Sequence, residues 1–182
     1  MKYKLVVGVD IGKQGAISCM DIESNTIVVH KMPVNSANEI SLPELSRLFD
    51  GFIEIYGREN IIMGIEDVHS VFSSSAKSNF QFGRSLGIIE GYLGSFKIPF
   101  IKVAPKIWQK IAHLGVPIVR KPATKEQIAK NKEGSLDTKA MSMVACERLF
   151  PTLDTRASSR SKKPHDGIVD ATLIAYYIKT TI

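Results

Sequence analysis

The chain has 182 residues, of which 44% are apolar and 23% are charged, and its formal net charge at pH 7 is +6. A chain of this length and composition can bury one core of ordinary size, so we expect a single domain over residues 1–182. No apolar stretch approaches the length of a membrane span, and the opening Met1–Lys4 lacks a signal-peptide profile, which favours a soluble cytoplasmic protein without membrane contact.

The first third of the chain predicts several strands and one helix. Residues 4–10 form an apolar, β-branched run, and residues 16–22 and 26–32 alternate well enough for two more strands in an antiparallel meander. A helix follows from the capping-box sequence Ser41–Glu44, and a fourth strand is predicted over residues 61–66.

The rest of the chain alternates helices with one more strand. Further helices are predicted at about 75–96, after Pro105, at 138–149 and at 166–179, with a strand at 99–103. Residues 115–137 are basic and polar, and they fit either a charged helical arm or a partly disordered loop. The order predicts an α/β fold with a mixed central sheet of about five strands, the first three antiparallel, flanked by helices.

Four carboxylates occupy positions where a charge is costly. Asp10 and Glu66 each end an apolar strand, and such a carboxylate needs a cation or hydrogen-bond donors when it is desolvated. Asp166 and Asp170 are four residues apart, so a helix places them on one face, where like charges repel. Together the four would make an oxygen-rich site suited to Mg²⁺ or Mn²⁺, which is typical of a nuclease.

Simpler interpretations of three of these residues remain open. Asp10 could begin a turn, Glu66 could be a solvated strand end, and Asp166 could be only a helix N-cap. Asp170 has the weakest alternative, because it lies inside an apolar helical pattern where an unpaired charge is expensive.

The charge is unevenly distributed along the chain. Residues 1–100 carry 9 Lys and Arg against 11 Asp and Glu, whereas residues 101–182 carry 15 against 7. A basic half beside a carboxylate cluster suits a polyanion that is held by positive charge and cut with the help of metal. The alternative is a generously charged surface without a specific partner.

The order of these motifs resembles the RuvC branch of the RNase H-like superfamily. Val9-Asp10-Ile11-Gly12 is similar to the family's first-strand motif, and Ile65-Glu66-Asp67-Val68, followed by a helix containing Gly83–Gly87, is similar to its second. The segment Pro164–Ala171, which contains both aspartates, resembles the terminal motif, particularly that of phage-type members. The resemblance covers nearly the whole chain.

The resemblance implies a homodimeric endodeoxyribonuclease that acts in DNA recombination and cuts branched DNA, with Holliday junctions as the type substrate. Two Mg²⁺ ions, for which Mn²⁺ would substitute, would be held in each site by Asp10, Glu66, Asp166 and Asp170, with Asp10 shared. The products would carry 5′-phosphate and 3′-hydroxyl ends. A phage origin, and with it the host cytoplasm, is a further implication.

The resemblance also assigns residues to the DNA. Lys139 matches a lysine that the family places near the scissile phosphate, and His69 occupies the position of an aromatic residue that probes the junction centre, with Phe72 three residues further on. Basic residues expected to follow the DNA backbone are Arg120, Lys121, Lys162 and Lys163. Whether His165 contributes to the metal site is open, since a histidine beside a proline is also a common turn residue.

Two rival functions come from other classes. Residues 7–15 also resemble the first phosphate loop of actin-like kinases, but those chains are usually much longer, so we expect no nucleotide cofactor. The other rival is a non-catalytic relative that binds branched DNA, and such a relative would be expected to have lost one of the carboxylates.

Overall fold

The computed structural model describes residues 2–67 and 75–182, in which five strands form one sheet. The strands are β1 (Leu5–Asp10), β2 (Ala16–Asp21), β3 (Ile27–Lys31), β4 (Ile61–Glu66) and β5 (Phe100–Val103). Their order across the sheet is β3-β2-β1-β4-β5. The first three strands are antiparallel, whereas β4 and β5 run parallel to β1. The predicted mixed sheet with an antiparallel beginning is confirmed.

The helices lie close to their predicted positions. They are α1 (Leu42–Tyr56), α2 (Ala76–Phe96), α3 (Pro105–Ala112), α4 (Lys125–Ala129), α5 (Thr138–Leu149) and α6 (Asp166–Thr181). Ser41 is the N-cap of α1, but its side chain makes no capping hydrogen bond, so the predicted capping box does not form. Within the described ranges, no helix combines the length and the apolar character that crossing a bilayer requires.

Residues 115–137, which we call the basic loop, are held by contacts within the loop itself. Arg120 and Leu136 form an isolated antiparallel bridge near its base, and the guanidinium of Arg120 also contacts Glu133 Oε2 at 2.9 Å and donates to the Gly134 carbonyl at 3.0 Å. The short helix α4 begins at Thr124, which forms a capping box with Gln127. The loop is therefore neither a continuous helical arm nor a structureless segment.

Strand alternation sends the two faces of β1 into two different cores. Val7 and Val9 pack with α1 and α2, for example against Phe49, whereas Val6 packs with the helices on the other face, which include α6. Because side chains alternate with a period of two, Asp10 lies on the same face as Val6 and therefore faces α6.

Candidate active site

Asp10 and Glu66 lie at the same end of the sheet, where β1 and β4 finish. They are the last residues of β1 and β4, and those strands are parallel neighbours whose register pairs Gly8 with Gly64. Each carboxylate stands two residues after its glycine and therefore on the same face of the sheet. The fold thus places both carboxylates on the side where α6 packs.

The paired glycines let α6 approach the sheet closely. A Cβ atom at Gly8 would lie 2.0 Å from the backbone oxygen of Ala171, and one at Gly64 would lie 2.5 Å from Cγ1 of Ile178. A side chain at Gly8 would collide with the backbone of α6 and push the helix away, and one at Gly64 would collide with isoleucine side chains of the same helix. Because Asp170 immediately precedes Ala171, this close approach is what brings Asp170 to the ends of β1 and β4.

Asp166 and Asp170 occupy the first two turns of α6. Asp166 is its first residue, and the N-cap is His165, whose Nδ1 accepts a hydrogen bond from the backbone N–H of Ile168 at 3.3 Å. The interpretation of Asp166 as only an N-cap is therefore wrong, because the cap position belongs to His165. The His165 ring has a structural task at the start of the helix.

Lys139, the second residue of α5, supplies a positive charge at the site. Its Nζ donates to Oδ2 of Asp166 at 2.6 Å, and the two side chains are 67% and 44% exposed. The hydrogen bond to Asp166 raises the pKa of Lys139, so the lysine stays protonated. An ion pair this exposed contributes little to stability and can be exchanged for another partner.

The pKa values of the other three carboxyl groups are raised. Burial is the largest cause for each of them, and it raises the pKa of Asp10 well above its ordinary value and the pKa of Asp170 to about 7. The charge of Glu66 adds to the effect on both aspartates, and burial raises the pKa of Glu66 itself. The positive charge near these carboxylates is too small to balance their negative charge, and a bound divalent cation would supply the difference.

The four carboxylates are near neighbours, but they do not surround a common point. In the described part of the chain, no group of three or more His, Cys, Asp or Glu side chains is arranged to hold a metal ion as it stands. The donor type and charge fit Mg²⁺ or Mn²⁺, whereas the side-chain positions require rearrangement. The ion pair of Asp166 with Lys139 is one contact that would have to open for Asp166 to bind an ion.

The raised pKa of Asp170 predicts how stability depends on pH. In EDTA, the free energy of unfolding should decrease by a few kcal/mol as the pH rises from about 4 to about 7, because the pKa of this carboxyl is 3.8 ordinarily and about 7 in the folded protein. The folded state binds the additional proton, so its stabilising effect is complete below the lower value and is lost as the pH rises through the higher one. Urea denaturation of wild type and Asp170→Asn measures this. If the difference in the free energy of unfolding between the two proteins did not change with pH, the raised pKa of Asp170 would be contradicted.

A cavity of about 760 Å³ opens in front of the site and extends to α2. Its lining includes Asp10, Asp166, Asp170 and Lys139. It also includes three basic residues for which the sequence predicts no role, namely Lys13, Lys77 and Arg84. Lys13 follows Asp10 by three residues and Lys77 lies in the first turn of α2, but no sequence pattern indicates that the two face one cavity.

The remaining predicted DNA contacts are spread over the surface. Lys121, Lys162 and Lys163 are exposed, whereas the guanidinium of Arg120 is engaged inside the basic loop by Glu133 and Gly134. His69 and Phe72 fall outside the described residues. Trp108 is fully buried, yet its Nε1 donates to Glu66 Oε1 at 3.2 Å.

Structural comparison defines the class of fold. No protein-family model matches the sequence, and no curated protein matches it. Among solved structures, Thermus thermophilus RuvC aligns with a TM-score of 0.52 at 14% identity, covering 97% of this chain and 95% of that one. The same protein in complex with a Holliday junction substrate aligns with a TM-score of 0.51 at 16% identity, covering 96% and 92%. The chain therefore has the RNase H-like fold in its RuvC-like form, and at these identities the likeness concerns the fold alone.

The yeast mitochondrial Holliday junction resolvase Ydc2 also aligns, with a TM-score of 0.47 at 16% identity, over 97% of this chain and 77% of that one.

Proposed function

We propose that this chain is a metal-dependent endonuclease that cuts branched DNA, with Holliday junctions as its principal substrate and forks or flaps as further ones. The observation that carries the proposal is the meeting of Asp10 and Glu66, at the ends of adjacent parallel strands, with Asp170 from the helix that crosses them. The RuvC-like fold and the similarity of Pro164–Ala171 to phage-type motifs support the choice of substrate and a phage-type enzyme.

Within this proposal, Asp10, Glu66, Asp166 and Asp170 would hold two Mg²⁺ ions, with Asp10 as the residue that both would share. When bound, the ions supply activation of the attacking water and stabilisation of the leaving 3′ oxygen, which leaves 5′-phosphate ends. Lys139, which pairs with Asp166 in this structure, would turn to the scissile phosphate as Asp166 takes up its ligand role. The lysine thereby neutralises charge in both states.

The cavity in front of the carboxylates is suited to a phosphodiester backbone. Lys13 and Lys77 line it together with the acidic residues of α6, and they would contact phosphates without reading bases. Arg84 lines it as well and forms an ion pair with Glu39. We propose that exposed Lys121, Lys162 and Lys163 extend this basic path outside the cavity.

We further propose that the enzyme acts as a homodimer, which would present two sites to opposed strands of a junction. The glycines of α2 recur at spacings of three or four residues, and an added Cβ would meet none of the described atoms within 4 Å at any of them: Gly83, Gly87, Gly91 and Gly94. Such an open small-residue face permits the close approach of a second subunit. Sedimentation of the protein measures the oligomeric state, and a monomer at micromolar concentration would contradict this part.

The function is tested by incubating the protein with a labelled four-way junction, a fork and a linear duplex of the same sequences, in Mg²⁺, Mn²⁺ or EDTA. We expect paired nicks near the branch point of the junction in either metal and none in EDTA. Equal cutting of the linear duplex would contradict selectivity for structure. Binding without cutting in both metals would favour the non-catalytic relative.

The basic residues before α6 provide a separate prediction on binding. The double replacement Lys162→Ala and Lys163→Ala should weaken junction binding and reduce the slope of log K against log salt by about 2, since each phosphate contact contributes about 0.9. The double variant Lys2→Ala and Lys4→Ala makes the same charge change just before β1, at the end of that strand away from Asp10. It should leave the slope unchanged. A slope identical to wild type in the first variant would remove both lysines from the DNA surface.

A further inference from the structure

Helix α3 reaches the carboxylate site through the side chain of Trp108. This side chain is completely buried among apolar residues, and its one polar atom, Nε1, donates to Oε1 of Glu66 at 3.2 Å. The bond fixes one oxygen of a carboxylate that is itself largely desolvated. A residue of α3 thus restrains the orientation of the Glu66 carboxylate.

The same helix reaches a second carboxylate through its C-cap residue, His113. Its Nε2 lies 3.0 Å from Oγ of Ser142 in α5, and hydrogen bonding from Ser142 acts to lower the pKa of Asp170, against the larger effect of burial. When Asp170 is ionised, as it would be when it binds a cation, its carboxylate only accepts, so Ser142 would donate to Asp170 and accept from Nε2–H of His113. The direction of donation would then run from His113 through Ser142 to Asp170.

Packing between the two rings links the Trp108–Glu66 contact to the His113–Ser142 contact. The rings of Trp108 and His113 pack edge to face with centroids 6.3 Å apart, so the two donors are held relative to each other. Ser142 is 2% exposed, which shields this second path from water. His113 and Ser142 also flank the basic loop in sequence, so their hydrogen bond joins the elements at its two ends.

We propose that Trp108 and His113 are positioning residues, through which α3 orients two carboxylates of the site, Glu66 directly and Asp170 by way of Ser142. This inference rests on the proposed function, because it treats both carboxylates as metal ligands. Groups that hydrogen-bond to metal ligands fix their orientation, and removing such a group typically lowers metal affinity about 10–100-fold. A purely structural role of the two residues would affect folding without this selective effect.

The test is calorimetric titration of the protein with Mn²⁺ for wild type and five variants. Trp108→Phe keeps a buried aromatic ring but removes the N–H that donates to Glu66. Ser142→Ala removes the hydroxyl between His113 and Asp170, and His113→Leu removes the imidazole that contacts this hydroxyl. We expect each of these to weaken Mn²⁺ binding about tenfold. His113→Gln places an N–H donor near the position of Nε2 and should restore affinity to within about threefold of wild type.

Ile107→Ala is the matched control. Ile107 is the exposed neighbour of Trp108 on α3, and its apolar side chain cannot form a hydrogen bond with a carboxylate. It should bind Mn²⁺ as wild type does. Junction affinity in EDTA, measured for every variant, reports whether the fold and the DNA surface are retained. We expect it to be unchanged, because the orienting hydrogen bonds matter only when an ion is bound.

The outcomes separate the inference from the proposed function. If wild type binds Mn²⁺ and the three disruptive variants bind equally well, the positioning role is overturned while the metal site stands. If His113→Gln is as weak as His113→Leu, or if junction affinity in EDTA falls together with Mn²⁺ affinity, the role is structural and the inference is likewise overturned. If wild type binds no Mn²⁺, the proposed function fails and the inference fails with it.

Discussion

Replacing Asp10 with Asn is expected to lower the rate of junction cleavage by at least about a thousandfold while junction binding is retained. The side chain interacts electrostatically with Glu66, Asp170, Asp166 and Lys139, so it stands at the centre of the site. The replacement keeps the shape but removes the charge that a shared ligand supplies. Metal ions contribute several kcal/mol to the stabilisation of such transition states, and about 4 kcal/mol corresponds to a thousandfold in rate. Single-turnover cleavage in Mg²⁺ measures the effect.

The matched control for this variant is Asp50→Asn, which makes the same chemical change at an exposed position of α1. It should cleave at the wild-type rate. Asp10→Asn should also unfold at a higher urea concentration than wild type in EDTA, because it removes a buried carboxyl whose charged form is disfavoured. Cleavage by Asp10→Asn at a rate within tenfold of wild type would exclude Asp10 as a shared ligand.

Replacing Gly8 with Ala is expected to destabilise the protein by about 3 kcal/mol or more and to abolish cleavage as well. A methyl group at this position would lie 2.0 Å from the Ala171 oxygen and 2.5 Å from the Ala175 nitrogen. Both are backbone atoms, which cannot rotate away, so α6 must move. Overpacking of this kind costs about 1–3 kcal/mol and occasionally more. The shift would also move Asp170 away from Asp10.

The control for this prediction is Gly51→Ala in α1, where an added Cβ meets no described atom within 4 Å. Since glycine inside a helix is less favourable than alanine by about 0.5–1 kcal/mol, this variant should be more stable than wild type. Urea denaturation of both variants measures the two effects. A Gly8→Ala protein as stable as wild type would show that α6 does not depend on close contact with β1.

The sequence predicted the strands of the sheet well because their signals are local. Apolar β-branched runs that end at Asp10 and Glu66, and the helical pattern around Asp170, each depend on residues within a few positions. The boundaries of β1 and β4 are placed to within one residue. The paired order of the motifs then leads to the RuvC-like arrangement of the strands.

What the sequence did not predict depends on contacts between distant residues. Trp108 and Glu66 are 42 positions apart and Lys139 and Asp166 are 27 apart, so no local pattern indicates either bond. The glycines of β1 and β4 looked like ordinary members of apolar runs until the register paired them beneath α6. The family resemblance assigns Arg120 to the DNA backbone, whereas Glu133 and Gly134 engage its guanidinium within the basic loop.

A crystal structure of the protein grown with Mn²⁺, in which anomalous scattering locates the ions, would show whether these carboxylates bind metal. We expect anomalous peaks within coordination distance of Asp10, Glu66 and Asp170, with Asp166 released from Lys139. Mn²⁺ found only at exposed carboxylates such as Asp154, with the Lys139–Asp166 ion pair still closed, would show that the four carboxylates are not a metal site.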